Sequence, residues 1–182
     1  QAAAVWALGD LANSNSSQLR IQHMMWHDTA VREALMQFVG DPDPLLRSNA
    51  LHAFANLTMD TASQQSMWDD ARLRAAFLQG AAEGQTSKIR IQACCGLATL
   101  CELAARLPEY RQSFIDNGVP ALLRSACNAF RGEDSAQVHS SATVALQLLE
   151  ADDDDELEAE GRPDRKRQRT EWPLARRLAS LR

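Results

Sequence analysis

The chain of 182 residues is 45% hydrophobic and carries a net charge of −5. It therefore has enough apolar side chains to fold, and it lacks the positive excess that nucleic-acid binding requires. No apolar run approaches the roughly 18 residues that a membrane span needs, so we expect no membrane partner. The four cysteines form neither a CxxC motif nor a spaced disulfide framework, which favours buried thiols in a reducing compartment, the cytoplasm or the nucleus.

Apolar residues at helical spacing, separated by short polar residues, glycine and proline, predict an all-α chain over residues 1–149. Asp28 and Asp70 precede predicted helices and are suited to be their N-caps. The segment 40–44, Gly-Asp-Pro-Asp-Pro, ends a helix because proline cannot continue one. The predicted helices span 1–13, 18–26, 29–39, 45–59, 62–68, 71–82, 88–105, 108–116, 119–130 and 136–149.

Residues 45–59, LLRSNALHAFANLTM, carry a pattern of small and large apolar side chains that recurs in three other segments. Matching positions at i, i+3, i+4 and i+7 share one face of a helix, so each segment is predicted to carry an apolar packing stripe. A period of roughly 40 to 47 residues is typical of a helical solenoid of the armadillo or HEAT kind. The four columns are Ala4/Ala50/Ala93/Ala142, Ala7/Ala53/Gly96/Ala145, Leu8/Phe54/Leu97/Leu146 and Leu11/Leu57/Leu100/Leu149.

The period divides the chain into about three and a half units: the end of one unit at 1–15, then 16–60, 61–106 and 107–149. Because residue 1 is glutamine and residues 1–13 match the last helix of a unit, we expect a piece of a longer protein. The apolar face of this first helix is then expected to be exposed.

Residues 25–32, MWHDTAVR, match residues 67–74, MWDDARLR, at the turn between two helices of successive units. Large aromatic side chains at equivalent positions usually pack between units, so Trp26 and Trp68 are predicted to be buried core residues. The alternative is that both are exposed anchors for a partner protein.

The third complete unit contains the turn 114–123, FIDNGVPALL. This turn resembles the armadillo repeat, whose second helix begins with Gly, an apolar residue, Pro, Ala and two Leu. The resemblance covers residues 1–149 and favours the armadillo type over HEAT. It implies a right-handed superhelix whose third helices line a concave groove, where a ligand commonly lies in extended conformation.

Two rows of third-helix side chains lie outside the packing columns, one helical turn apart. We predict that they line a groove for an extended peptide or partner protein, so that the chain is a protein–protein interaction scaffold. For Trp6 the alternative is packing between units. The first row is Trp6, His52, Cys95 and Val144, and the second row is Asp10, Asn56, Thr99 and Leu148. The candidate binding residues are Trp6, Asp10, His52, Asn56, Cys95 and Thr99.

Residues 6–10, WALGD, are similar to the importin-alpha signature Trp-Ala-Leu-Gly-Asn. In that family the Trp holds the aliphatic stem of a Lys or Arg, and the Asn holds the peptide backbone. Here Trp6 is followed by Asp10, Asn56 is preceded by His52, and the later helices match neither position. A nuclear transport adaptor that recognises basic cargo peptides is therefore the alternative function.

Residues 150–171 form an acidic run followed by a basic run and are predicted to be a disordered linker, because like charges repel one another. Residues 172–182, WPLARRLASLR, carry three leucines at helical spacing and predict a short amphipathic helix. The basic run resembles a monopartite nuclear localisation signal, which would make an import receptor a second partner. The alternative is a solvated basic tail that pairs with the acidic run. The residues of this signal are Arg165, Lys166, Arg167 and Arg169.

We predict no enzyme and no cofactor, because the sequence contains no glycine-rich phosphate loop and no recognisable nucleophile with its base. His23 and His27 stand one helical turn apart and could form half of a metal site. No third ligand stands at a suitable spacing, so no metal site is predicted.

Overall fold

The computed structural model describes residues 2–12, 19–130 and 136–150, and every regular element in these ranges is an α-helix. All of these residues belong to one compact unit, which ends at Glu150. The basic run, the predicted helix at 172–182 and all but the first residue of the predicted linker lie outside the described residues. The helices are α1 Ala2–Ala12, α2 Leu19–His27, α3 Thr29–Val39, α4 Pro44–Leu57, α5 Gln64–Asp69, α6 Ala71–Ala81, α7 Ser87–Leu100, α8 Glu102–Arg106, α9 Glu109–Asp116, α10 Val119–Ala129 and α11 Ala136–Glu150.

The predicted N-caps are confirmed at two equivalent turns. Asp28 Oδ1 accepts hydrogen bonds from the first backbone N–H groups of α3, and Asp70 Oδ1 does the same for α6. Asp43 caps α4 in the same way, with Pro44 in the first helical turn. These carboxylates satisfy N–H groups that have no partner within their own helix.

Four helices, α1, α4, α7 and α11, are called the long helices below. They pack on one another in chain order: α1 on α4, α4 on α7, and α7 on α11. Helices α4, α7 and α11 also pack on the longer helix that precedes each of them in the chain: α4 on α3, α7 on α6, and α11 on α10. The buried apolar side chains form one continuous cluster that extends from Val5 on α1 to Leu149 on α11. The described chain is therefore held together mainly by contacts between neighbouring helices.

The predicted columns are buried on α4 and α7, whereas three of the four column residues on α1 are exposed and Leu8 is half-buried. Leu57 on α4 and Leu100 on α7 are almost fully buried, whereas their counterpart Leu11 on α1 is 53% exposed. Ala4 and Ala7 are exposed as well. The expectation of an exposed apolar face on the first helix is thus confirmed.

The single helix predicted over residues 88–105 is wrong. Helix α7 ends at Leu100, as α4 ends at the equivalent Leu57, and α8 begins at Glu102. The N–H of Ala104 bonds back only three residues, to the carbonyl of Cys101, so the chain turns more tightly there. This turn buries Leu103 and Ala104 in the core.

The prediction that the two equivalent tryptophans are core residues is confirmed. Trp26 and Trp68 are at most 3% exposed. Each indole N–H donates to a serine hydroxyl later in the chain, Trp26 to Ser66 on α5 at 2.8 Å and Trp68 to Ser113 on α9 at 3.0 Å. The two rings therefore link α2 to α5 and α5 to α9 while their polar N–H groups stay paired.

We expect Gly96→Ala to destabilise the protein by about 1–3 kcal/mol, because it would overpack the core. A Cβ at Gly96 would overlap a ring carbon of Phe77, which is itself fully buried. Gly40→Ala is the matched control, since a Cβ there meets nothing within 4 Å and φ is −98°. Urea unfolding of both variants measures the difference, and equal stabilities would contradict the assigned contact.

Candidate functional site

All six candidate binding residues are at least partly open to solvent. Trp6 is 54% exposed and Asp10 is also exposed, whereas the four candidates on α4 and α7 are half-buried. Because α1, α4 and α7 pack on one another in that order, these side chains lie on three neighbouring helices. Val144 and Leu148 continue the two rows on α11, and both are half-buried.

A chain of hydrogen bonds connects three of the long helices at this surface. Asn56 Nδ2 donates to the backbone carbonyl of Gly9 on α1 at 2.9 Å, and it lies 3.2 Å from His52 Nε2. His52 Nδ1 lies 3.0 Å from the side-chain oxygen of Gln92 on α7. The amide nitrogen of Asn56 can only donate, so His52 Nε2 accepts and Nδ1 carries the proton. This arrangement requires the neutral imidazole.

Gly9 allows the imidazole to approach α1. A Cβ at this position would lie 2.9 Å from His52 Cδ2 and 3.6 Å from the backbone nitrogen of Ala53. A side chain at residue 9 would therefore displace the histidine or separate the two helices. The sequence prediction recognised His52 and Asn56 as surface residues but missed their contact with Gly9.

The part of the surface on α7 offers little hydrogen-bonding capacity. The Thr99 hydroxyl donates to the Cys95 carbonyl of its own helix at 3.1 Å. Burial raises the pKa of the Cys95 thiol to about 11, so it stays neutral at physiological pH. A neutral thiol is a poor nucleophile and a poor metal ligand, so Cys95 contributes an apolar contact.

The surface therefore changes in character from α1 to α11. It presents an indole and a carboxylate on α1, an imidazole and an amide on α4, and mainly apolar groups on α7 and α11. Half-exposed polar groups next to half-exposed apolar groups are suited to binding a polypeptide, which offers both kinds of group.

A second group of polar residues connects α2 to the turn after α4. His23 Nδ1 lies 3.0 Å from Asp60 Oδ2 and 3.3 Å from the Ser63 hydroxyl, which donates to the same carboxylate. Serine and aspartate both face the same ring nitrogen, and Ser63 is fully buried. This geometry differs from a catalytic triad, in which the serine and the carboxylate contact opposite nitrogens of the ring.

His23 also lies near His27, with ring centroids 4.4 Å apart. Among the described residues, no three His, Cys, Asp or Glu side chains are grouped so that they could hold a metal ion.

Two equivalent glutamines, which the sequence prediction missed, join consecutive long helices. Gln22 and Gln64 stand 42 residues apart in the chain, and both are fully buried. Each amide donates to a carbonyl near the end of one long helix and to a carbonyl near the end of the next. These acceptors are Ala12 at 2.7 Å and Asn56 at 3.0 Å for Gln22, and Thr58 at 2.9 Å and Thr99 at 3.3 Å for Gln64.

No protein-family model matches the sequence, and the chain matches neither a curated protein nor a solved structure. None of the described helices combines the length and the apolar content that crossing a bilayer requires. The four residues of the predicted nuclear localisation signal, Arg165, Lys166, Arg167 and Arg169, lie outside the described residues.

Proposed function

We propose that residues 1–149 are an armadillo-type helical solenoid that serves as a protein–protein interaction scaffold. Its binding surface consists of the two rows of side chains on the long helices. One row runs from Trp6 to Val144, and the other runs from Asp10 to Leu148. The ligand is an extended segment of a partner protein. The observation that supports this most directly is the hydrogen-bonded chain from Gly9 through Asn56 and His52 to Gln92.

This chain of hydrogen bonds gives the surface a fixed geometry before a ligand arrives. A preorganised surface loses less conformational entropy on binding, so more of the interaction energy appears as affinity. Asn56 uses its amide nitrogen within the protein, and its side-chain oxygen has no hydrogen bond among the described residues. That oxygen is the acceptor for a backbone N–H of the bound segment.

Site-specific photo-cross-linking tests the location of the binding surface. A benzophenone amino acid replaces Trp6 or Thr99 in the full chain, and Met24 or Ile115 in matched controls, which are 60% and 40% exposed. After irradiation in cell lysate, we expect the same partner protein on Trp6 and Thr99 and its absence from both controls. Capture of one partner mainly at Met24 or Ile115 would contradict the proposal.

A nuclear transport adaptor is the second candidate, and the exposed indole of Trp6 near the carboxylate of Asp10 favours it. An indole face and a carboxylate one turn apart suit the stem and the charge of a basic residue. A lysine-rich heptapeptide that competes with the partner for cross-linking at Trp6 would favour this candidate over the general scaffold.

We propose further that the basic run near residues 165–169 is bound by an import receptor and directs the protein to the nucleus. The support is the sequence pattern alone. Localisation of a fluorescent fusion, with Lys166→Ala and Arg167→Ala as the variant, tests this proposal separately from the scaffold.

A further inference from the structure

A cleft of about 340 Å³ is lined mainly by residues of α3, α4, α6 and α7, and none of the candidate binding residues belongs to this lining. Its apolar part includes Val39, Leu51 and Ile89, and the last two are nearly fully buried. Its polar part includes Arg47 and Gln79. This volume is at the lower end of the range for ligand sites in proteins.

Arg47 is held in one orientation but keeps part of its hydrogen-bonding capacity. Its Nη1 atom donates to the backbone carbonyls of Asp41 at 2.7 Å and Pro42 at 3.0 Å. Its Nε and Nη2 atoms have no hydrogen bond among the described residues. A planar guanidinium with free donors on a fixed edge is suited to binding a carboxylate.

The equivalent arginine, 43 residues later in the chain, has the partners that Arg47 lacks. Arg90 Nε donates to the carbonyl of Ala81, the last residue of α6, at 3.4 Å. Its Nη2 atom donates to the Ser125 hydroxyl at 3.2 Å, and its guanidinium lies 5.2 Å from the centre of the Phe130 ring. This second position thus shows which groups satisfy the arginine when both a ring and an oxygen are available.

Neither of these two contacts is made by Arg47 among the described residues. Phe130 is the C-cap of α10, whereas the C-cap of α6 is Ala82, which has no ring. Gln79 lines the cleft with Arg47, and no hydrogen bond joins the two among the described residues. Arg47 therefore lacks both the ring and the hydroxyl that contact Arg90, and it lines an open cleft.

The charges around the cleft favour an acidic ligand. Glu33, the carboxylate that lines the cleft, is bound by both terminal nitrogens of Arg72. Arg47 is thus the cation of the cleft that has no carboxylate partner among the described residues.

We propose that this cleft binds a peptide segment of a partner protein through an aromatic side chain next to an acidic one. The ring stacks on the Arg47 guanidinium above Leu51 and Ile89, and the carboxylate accepts hydrogen bonds from Arg47. This site is separate from the proposed scaffold surface, because none of the candidate binding residues of that surface lines the cleft.

The test uses the full chain labelled with ¹⁵N and the probe peptide acetyl-Gly-Phe-Glu-Gly-amide, followed by NMR. We expect shifts of the Arg47 Nε–H signal and of the side-chain amides of Gln79 and Gln85. Peptides with Lys in place of Glu, or Ala in place of Phe, are expected to bind about tenfold more weakly, since each lacks one contact.

Two variants make the test specific to the cleft. Arg47→Lys keeps the charge but loses the planar surface, and we expect it to weaken binding about tenfold. Gln79→Phe places a ring in the cleft from an exposed position on α6, so it should block the peptide without unfolding the protein. The proposal is overturned if the cleft signals do not shift, if the Lys peptide binds equally well, or if the folded Gln79→Phe protein binds as the parent does.

Discussion

Leu57→Asp is expected to abolish cooperative unfolding of the described unit. Leu57 is 1% exposed and belongs to the continuous apolar core. Removing its side chain forfeits about 1.5–3 kcal/mol of burial, and an unpaired buried carboxylate adds a further penalty. The sum is comparable with the whole stability of a typical domain, about 5–15 kcal/mol.

Circular dichroism during urea and thermal unfolding measures this effect. Leu45→Asp is the matched control, because Leu45 lies on the same helix and is 47% exposed. An acidic residue in the first turn of a helix is tolerated or mildly stabilising, so the control should unfold like the parent. A cooperative transition of normal amplitude in Leu57→Asp would show that the packing stripe is assigned to the wrong face.

Trp68→Ala is expected to cost about 3–5 kcal/mol of unfolding free energy, the usual range for truncating a buried tryptophan. The indole is 1% exposed and packs with its centroid 4.0 Å from that of Phe114. Its N–H donates to Ser113, and the Arg74 guanidinium lies 5.6 Å from the ring centroid. Truncation therefore removes apolar, hydrogen-bonding and cation–π contacts together.

Trp6→Ala provides the comparison, since the same substitution removes a ring that is 54% exposed. We expect a change of at most about 0.5 kcal/mol, as for other surface substitutions. Chemical denaturation of both variants measures their unfolding free energies. Similar losses in Trp6→Ala and Trp68→Ala would mean that the exposed indole also has a structural role.

Local sequence patterns were sufficient to predict most of the helices and much of the core. Asp28 and Asp70 cap their helices by contacts within three residues, so their role follows from the local sequence. The burial of Trp26 and Trp68 followed from their equivalent positions in two units. The break between α7 and α8 was missed because residues 88–105 contain neither Gly nor Pro at that point.

The contacts that organise the candidate surface join residues far apart in the chain. Asn56 bonds to Gly9, 47 residues earlier, and His52 contacts Gln92, 40 residues later. Periodicity predicts which face a residue occupies, and it leaves open which partner on a neighbouring helix it meets. The buried hydrogen bonds of Gln64 could not be predicted for a further reason, since glutamine is mostly a surface residue in proteins.

The buried glutamines also determine how far a local defect in the fold would spread. The Gln22 amide links α1 to α4, and the Gln64 amide links the end of α4 to α7. The two amides share no acceptor, so loss of one link leaves the hydrogen bonds of the other in place. Damage at one pair of helices is therefore not passed on to the next pair through these bonds.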